Sequence, residues 1–175
     1  MAQANREYLE QFRVTPAGQN LLRTIRYAEG TNNDSPYNTF YGGGKFDDLS
    51  RHPDKVITKG RYSSSAAGAY QFLTPTWQSV KNELGLEDFG PESQDIAALR
   101  LAQKRLKGIG GLETVRNEGL SKRVAASLSP EWASFPTESG KSYYGQPVVS
   151  LEELQTRYSM KPPVAGDEAP PTESQ

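Results

Sequence analysis

The chain has no cysteine and a single histidine, His52. Without thiols there is no disulfide and no thiolate metal site, and one imidazole cannot by itself build a zinc centre, so neither metal nor cofactor is expected. No run of about 18 apolar residues is present to cross a bilayer, and residues 1–13 are polar and charged where a secretory signal would be apolar. These absences lead to the expectation of a soluble protein, made in the cytoplasm, without its own signal peptide and without membrane insertion. One-sided charge is missing too. Twenty basic against twenty-one acidic side chains leave a formal charge of -1, too little for a field that recruits nucleic acid. The local cluster of Lys104, Arg105 and Lys107 reads as a solvated helix end. No internal repeat is visible, and a monomer is expected.

What is present is a chain of 175 residues, 35% hydrophobic and 23% charged, enough for one ordinary domain with a core. Thr15-Pro16 is a helix start, a hydroxyl cap followed by proline at the first helical position. Leu21, Leu22, Ile25 and Ala28 then fall on one stripe at spacings of three and four, which predicts an amphipathic helix with that face in the core. Glu29 follows at the edge of this apolar ground, immediately before Gly30, the residue type expected just past a helix end. Partial burial and the negative helix C-terminus both favour a protonated carboxyl there, able to give a proton to a leaving oxygen. The plainer alternative is a surface glutamate paired with Arg26, one turn back.

From Thr31 to about Ser65 the composition turns to Asn, Asp, Ser, Gly and Pro, with strand-like pieces at 38–41 and 55–58 around Gly42-Gly43-Gly44, a small loop-rich β region. Helices are expected from Thr74-Pro75 to Gly85 with Trp77, Val80 and Leu84 inward, and from Gly90-Pro91 with Ile96, Leu99 and Leu106 inward. Two short helices follow, 112–118 and 121–128. A Pro- and Gly-punctuated loop carries Trp132, Phe135, Tyr143 and Tyr144. Ser150-Leu151-Glu152-Glu153 is a capping box that opens a last helix. The domain is read as 14–160, with residues 1–13 an arm outside it. Residues 161–175, holding four of the twelve prolines and almost nothing large and apolar, are read as a disordered tail.

Ala28-Glu29-Gly30-Thr31, Tyr41-Gly42-Gly43-Gly44-Lys45-Phe46 and His52-Pro53 together resemble the lambda-type phage endolysins, peptidoglycan-cleaving enzymes of the lysozyme-like superfamily. Ala67-Gly68-Ala69-Tyr70-Gln71, Leu84-Gly85-Leu86, Ser93-Gln94-Asp95, Trp132-Ala133-Ser134 and Tyr144-Gly145-Gln146 follow in the same order. The resemblance spans roughly 21–160, and its ordered succession is more specific than any one short motif. Two departures stand out: residues 32–38 differ from the family pattern, and Ala69 stands where a basic residue is familiar.

The resemblance implies an α+β, lysozyme-like fold, a mostly helical lobe facing a small β region across a saccharide groove, with Glu29 as general acid. It implies glycan strands of peptidoglycan as partner and the cell wall as the place of action. Members of this family act as lytic transglycosylases, in which one Glu protonates the glycosidic oxygen and then takes the proton of the muramoyl C6 hydroxyl. A hydrolytic muramidase, or a glycan-binding homologue that does not cut, are the alternatives. Asp34, Asp47 and Asp48 are the nearby candidates for a second carboxylate, although each sits where Asp is common as a turn former. Tyr70 and Gln71, after Gly68, could hydrogen-bond substrate or steady Glu29, with Tyr70 equally readable as a core aromatic. Tyr144 is a candidate stacking surface for sugar, Trp132 reads as packing, and His52 as a hydrogen-bonded structural residue.

Overall fold

A computed structural model describes residues 2–145 and 147–160. Among the described residues seven α-helices run in chain order: α1 Ala2–Arg13, α2 Pro16–Ala28, α3 Thr74–Leu84, α4 Pro91–Arg105, α5 Leu112–Glu118, α6 Lys122–Leu128 and α7 Leu151–Ser159. Between α2 and α3 lie two single 3-10 turns and a two-stranded antiparallel hairpin, β1 Ile57–Lys59 with β2 Tyr62–Ser64, in which Ile57 faces Ser64 and Lys59 faces Tyr62. The expected α+β division into a helical lobe and a small loop-rich β region is therefore what the chain forms.

Helix starts follow the sequence signals where a hydroxyl can reach a free amide. Thr15 Oγ1 accepts from Gly18 N at 3.0 Å, and Ser121 and Ser150 accept from Val124 N and Glu153 N. At α3 the expected cap is not realised. Thr74 lies inside the helix with its hydroxyl oxygen buried and unpartnered, while Ser65 Oγ accepts from Thr74 N at 3.1 Å. The piece at 38–41 is likewise not a strand. It is shared between the 3-10 turns and held by single bridges, Thr39 to Lys45 and Phe40 to Ala67.

The larger correction concerns residues 1–13, read as an arm outside the domain. Of these, Ala2–Arg13 form α1, whose Leu9 and Phe12 are buried in the same core as Leu21, Ile25, Leu99 and Val115. Burial of each such side chain stabilises the fold by about 1.5–3 kcal/mol, which suffices to dock a short, polar helix. Polar contacts finish the docking. Asn5 and Gln103 exchange two amide hydrogen bonds of 3.0 Å with α4, and Arg6 Nη1 donates to the carbonyls of Leu84 and Gly85 at the end of α3. The apolar face of α1 is only Leu9, Phe12 and the half-buried Tyr8, too sparse to register against its charged surroundings. The tail at 161–175 lies outside the described residues.

The β region is fastened to the helical lobe through Gln94 of α4. Its fully buried amide accepts from Ala69 N at 2.9 Å and donates to the carbonyls of Tyr37 and Phe89. Gly68 must be glycine at this seam: its φ is +88°, and a Cβ there would stand 2.4 Å from Gln94 Oε1 and 2.8 Å from the Phe89 ring. The close approach that Gly68 permits is thus to the interior rather than to a sugar. Phe72, Trp77 and Phe89 pack beneath it, with Trp77 and Phe89 edge to face at 4.7 Å.

Candidate active site

The last turn of α2 delivers Glu29 as the residue that closes the helix. Its backbone N–H still donates to Ile25 O at 2.9 Å, while Gly30 turns the chain away with φ +76°. Thr31, buried, then pins the exit by donating its hydroxyl to Ala69 O at 2.5 Å. The position of Glu29 is therefore set by α2 on one side and by the segment leading to α3 on the other.

Glu29 keeps part of its surface open to solvent, yet protein atoms crowd its carboxyl on nearly every side. That dehydration pushes the Glu29 carboxyl up to about 7, and the one opposing influence is a hydrogen bond of 2.7 Å donated by the Ser134 hydroxyl. Pairing with Arg26 is not realised. The Arg26 guanidinium donates instead to the Tyr70 hydroxyl at 2.8 Å. The carboxyls of Asp48, Glu83, Glu113 and Glu118 are moved the opposite way to that of Glu29, each by hydrogen-bond donors beside it.

Tyr70 is fully buried, and its hydroxyl donates to Asp95 Oδ1 at 2.5 Å while accepting from Arg26. It cannot touch a saccharide, which corrects its reading as a substrate-binding residue in favour of the core alternative. Gln71 lies at the surface of the seam with an unusual left-handed backbone, φ +53°, and its amide nitrogen donates to the carbonyls of Gly68 and Thr39. Tyr144 is 58% exposed. Its hydroxyl donates to Pro130 O at 2.9 Å and its ring meets Tyr143 edge to face at 4.7 Å, leaving an aromatic surface toward solvent.

Trp132 is buried and donates its indole N–H to Tyr70 O at 3.1 Å, a packing role as expected. His52 is buried as well. Its Nδ1 accepts from Asp54 N, so Nε2 carries the hydrogen and donates to Phe72 O at 2.8 Å, and burial holds the imidazole below its ordinary value. Asp34, Asp47 and Asp48 are all exposed, and Asp48 accepts from both the amide and the hydroxyl of Ser50 in a local turn.

A family model described as Endolysin matches residues 19–163. The chain belongs to the endolysin family. The endolysin of Escherichia phage lambda is 34% identical over 122 residues, 66% of this chain and 74% of that protein. The endolysin of Escherichia phage P2 is 36% identical over 117 residues, 63% of this chain and 66% of that one. A solved structure of bacteriophage lambda lysozyme complexed with a chitohexasaccharide superposes with a TM-score of 0.71 at 29% identity, covering 83% of this chain and 93% of its own. A second lambda lysozyme structure gives 0.69 at 26%. This endolysin is accordingly a lysozyme-like, glycoside-cleaving enzyme, and α1 lies before the stretch that the family model matches.

Two features of its site were not readable from sequence. Ser134 stands 105 positions from Glu29, and only folding joins them. The ion pair of Arg13 with Asp95, which receives both Tyr70 and Tyr37, runs between α1 and α4 across 82 positions. The quoted segments Ser93-Gln94-Asp95 and Trp132-Ala133-Ser134 contained Asp95 and Ser134 without marking them.

Proposed function

We propose that this endolysin cleaves the MurNAc–GlcNAc bond of peptidoglycan as a lytic transglycosylase, with Glu29 as the general acid and then the general base. The observation that carries this reading is a dehydrated carboxyl held near 7 with a single neutral hydrogen-bond donor, a group that keeps a proton at neutral pH and can take one back. In the first half, the C1–O4 bond breaks and O4 leaves with the Glu29 proton. In the second, the C6 hydroxyl oxygen of the same muramoyl ring bonds to C1, and its proton passes to the Glu29 carboxylate. The enzyme is restored, and no water is consumed.

A second carboxylate has no function in this scheme, which agrees with the exposure of Asp34, Asp47 and Asp48. The exposed Tyr144 ring offers a stacking face for a sugar, and the Gln71 carbonyl oxygen an acceptor for a hydroxyl, its amide nitrogen being committed to the loop.

Mass spectrometry of the products of purified sacculi tests the reaction. Anhydro-muramoyl ends, lighter than the hydrolytic product by one water, are expected. Reducing muramoyl ends in good yield, together with collapse of turnover in Asp34→Asn or Asp48→Asn, would make this a two-carboxylate hydrolase.

A further inference from the structure

Arg26 precedes Glu29 by three residues on the same helix, a spacing at which side chains are neighbours. A guanidinium free at that position would reach the carboxyl and hold it ionised. It is not free. Arg26 Nη1 donates to the Tyr70 hydroxyl at 2.8 Å, and the same hydroxyl donates to Asp95 Oδ1 at 2.5 Å. Asp95 is itself fixed. Tyr37 donates to Oδ1 at 2.9 Å, and Arg13 of α1 donates Nε to Oδ2 at 2.8 Å.

We propose that Asp95 and Tyr70 are positioning residues that retain the Arg26 guanidinium away from Glu29, so that Glu29 meets substrate with its proton in place. The buried Tyr70 hydroxyl is the hook, and Asp95 supplies the charge that makes this location better for Arg26 than the neighbouring glutamate. The inference rests on Glu29 being the acid of the proposed reaction, but the arrangement of charges can be measured without reference to turnover.

Groups from the elements packed around α2 enter the balance, with Glu113 and Arg116 of α5 occupied by each other and by Tyr8. Arg13 comes from α1, Asp95 from α4, Tyr37 and Tyr70 from the β side, and Ser134 from the segment after α6. From α7, Glu153 and Arg157 engage Tyr27, the former by accepting its hydroxyl and the latter with its guanidinium carbon 4.0 Å from the ring centroid. None of these except Ser134 is bonded to the Glu29 carboxyl, and Arg26 is the cation nearest to it in sequence. The third role in the network belongs to α1, which by way of Arg13 lends the site a residue from before the family-matched stretch.

The test is a carboxyl-carbon NMR titration of the full-length protein labelled at glutamate, with Glu29→Gln used to assign the Glu29 signal. In Arg26→Met the Glu29 titration midpoint should stay within about 0.3 pH unit of the native protein, because the removed charge was already held off. A rise of one unit or more would show Arg26 acting on Glu29 directly and overturn the proposal. In Asp95→Asn and Tyr70→Phe, checked for folding by near-ultraviolet circular dichroism, the midpoint should fall by about one pH unit or more, the usual effect of an adjacent guanidinium. Addition of Arg26→Met to either should return it to the native value. An unchanged midpoint in folded Asp95→Asn, or a fall that Arg26→Met does not reverse, would also overturn it. Sacculus turnover measured on the same variants separates this idea from the assignment of the acid: an active Glu29→Gln would remove Glu29 from the reaction while leaving these titrations to stand or fall separately.

Discussion

Two carboxylates in this molecule have opposite surroundings. Asp95 is buried among donors: two phenolic hydroxyls share one oxygen and a guanidinium takes the other. Glu29 keeps some exposed surface but has one hydroxyl as its hydrogen-bond partner and no cation paired with it among the described residues. The more buried group has its charge compensated, and the less buried one is left dehydrated. What separates the structural Asp95 carboxylate from Glu29, the proposed acid, is the supply of donors and cations around each.

The sharpest way to break the contrast is to remove the proton from it. Glu29→Gln, which keeps shape but cannot cycle a proton, should lower lysis of purified sacculi by about 10²–10⁴-fold with the fold intact. Near-native lysis rates in a turbidity assay would withdraw the assignment. On the structural side, Asp95→Ala leaves the buried Tyr70 phenol, the half-buried Tyr37 phenol and a guanidinium without their acceptor and should cost about 3–5 kcal/mol in urea denaturation, far more than any exposed ion pair. A loss below about 1 kcal/mol would mean that the network contributes little to the fold.

A third, smaller effect follows from proton linkage. The Glu29 carboxyl lies at about 7 when folded against an ordinary value of 4.5. The folded chain therefore holds a proton that the unfolded chain has released, and stability present at acid pH is lost as pH rises from about 4.5 to about 7. Glu29→Gln should accordingly be more stable than the native protein by about 1–3 kcal/mol at pH 8, with no such gain at pH 4. Equal melting curves at both pH values would show that the site is not strained by ionisation. Smallest of all, Ser134→Ala deletes the one interaction that favours the Glu29 carboxylate. It should move the alkaline limb of the rate profile upward by about half to one pH unit, with less than a tenfold change at the optimum. A downward shift would contradict the direction in which that hydroxyl works.

Much of the fold was legible because helices announce themselves locally. Period, cap and stop signals at Thr15-Pro16, Gly85, Gly90-Pro91 and Ser150 lie within a few residues of the structure they specify, and Glu29 could be placed at a helix end on the same grounds. The weaker readings failed where long-range contacts decide. Leu9 and Phe12 are core residues only because α2, α3 and α4 are there to receive them, and nothing inside residues 1–13 says so. Tyr70 looked like a sugar-facing group beside a permissive glycine, yet Gln94, brought in from α4, turns that seam inward. Around Glu29 the helix end was readable and the long-range contacts were not, since Ser134 reaches Glu29 across 105 positions and Asp95 joins Arg13 across 82, separations that no local pattern encodes.

The enclosure of His52 has a practical result for solution work. This chain has no thiol, and its lone imidazole is tied at both nitrogens, Nδ1 accepting from Asp54 and Nε2 donating to Phe72, with burial holding its ionisation below the ordinary value. The Glu29 carboxyl, held at about 7, buffers close to neutral pH. Calorimetry of an uncharged oligosaccharide in buffers of different ionisation enthalpy would then count the protons that the Glu29 carboxyl takes up or releases on binding, so that the state of one carboxyl is read from heat.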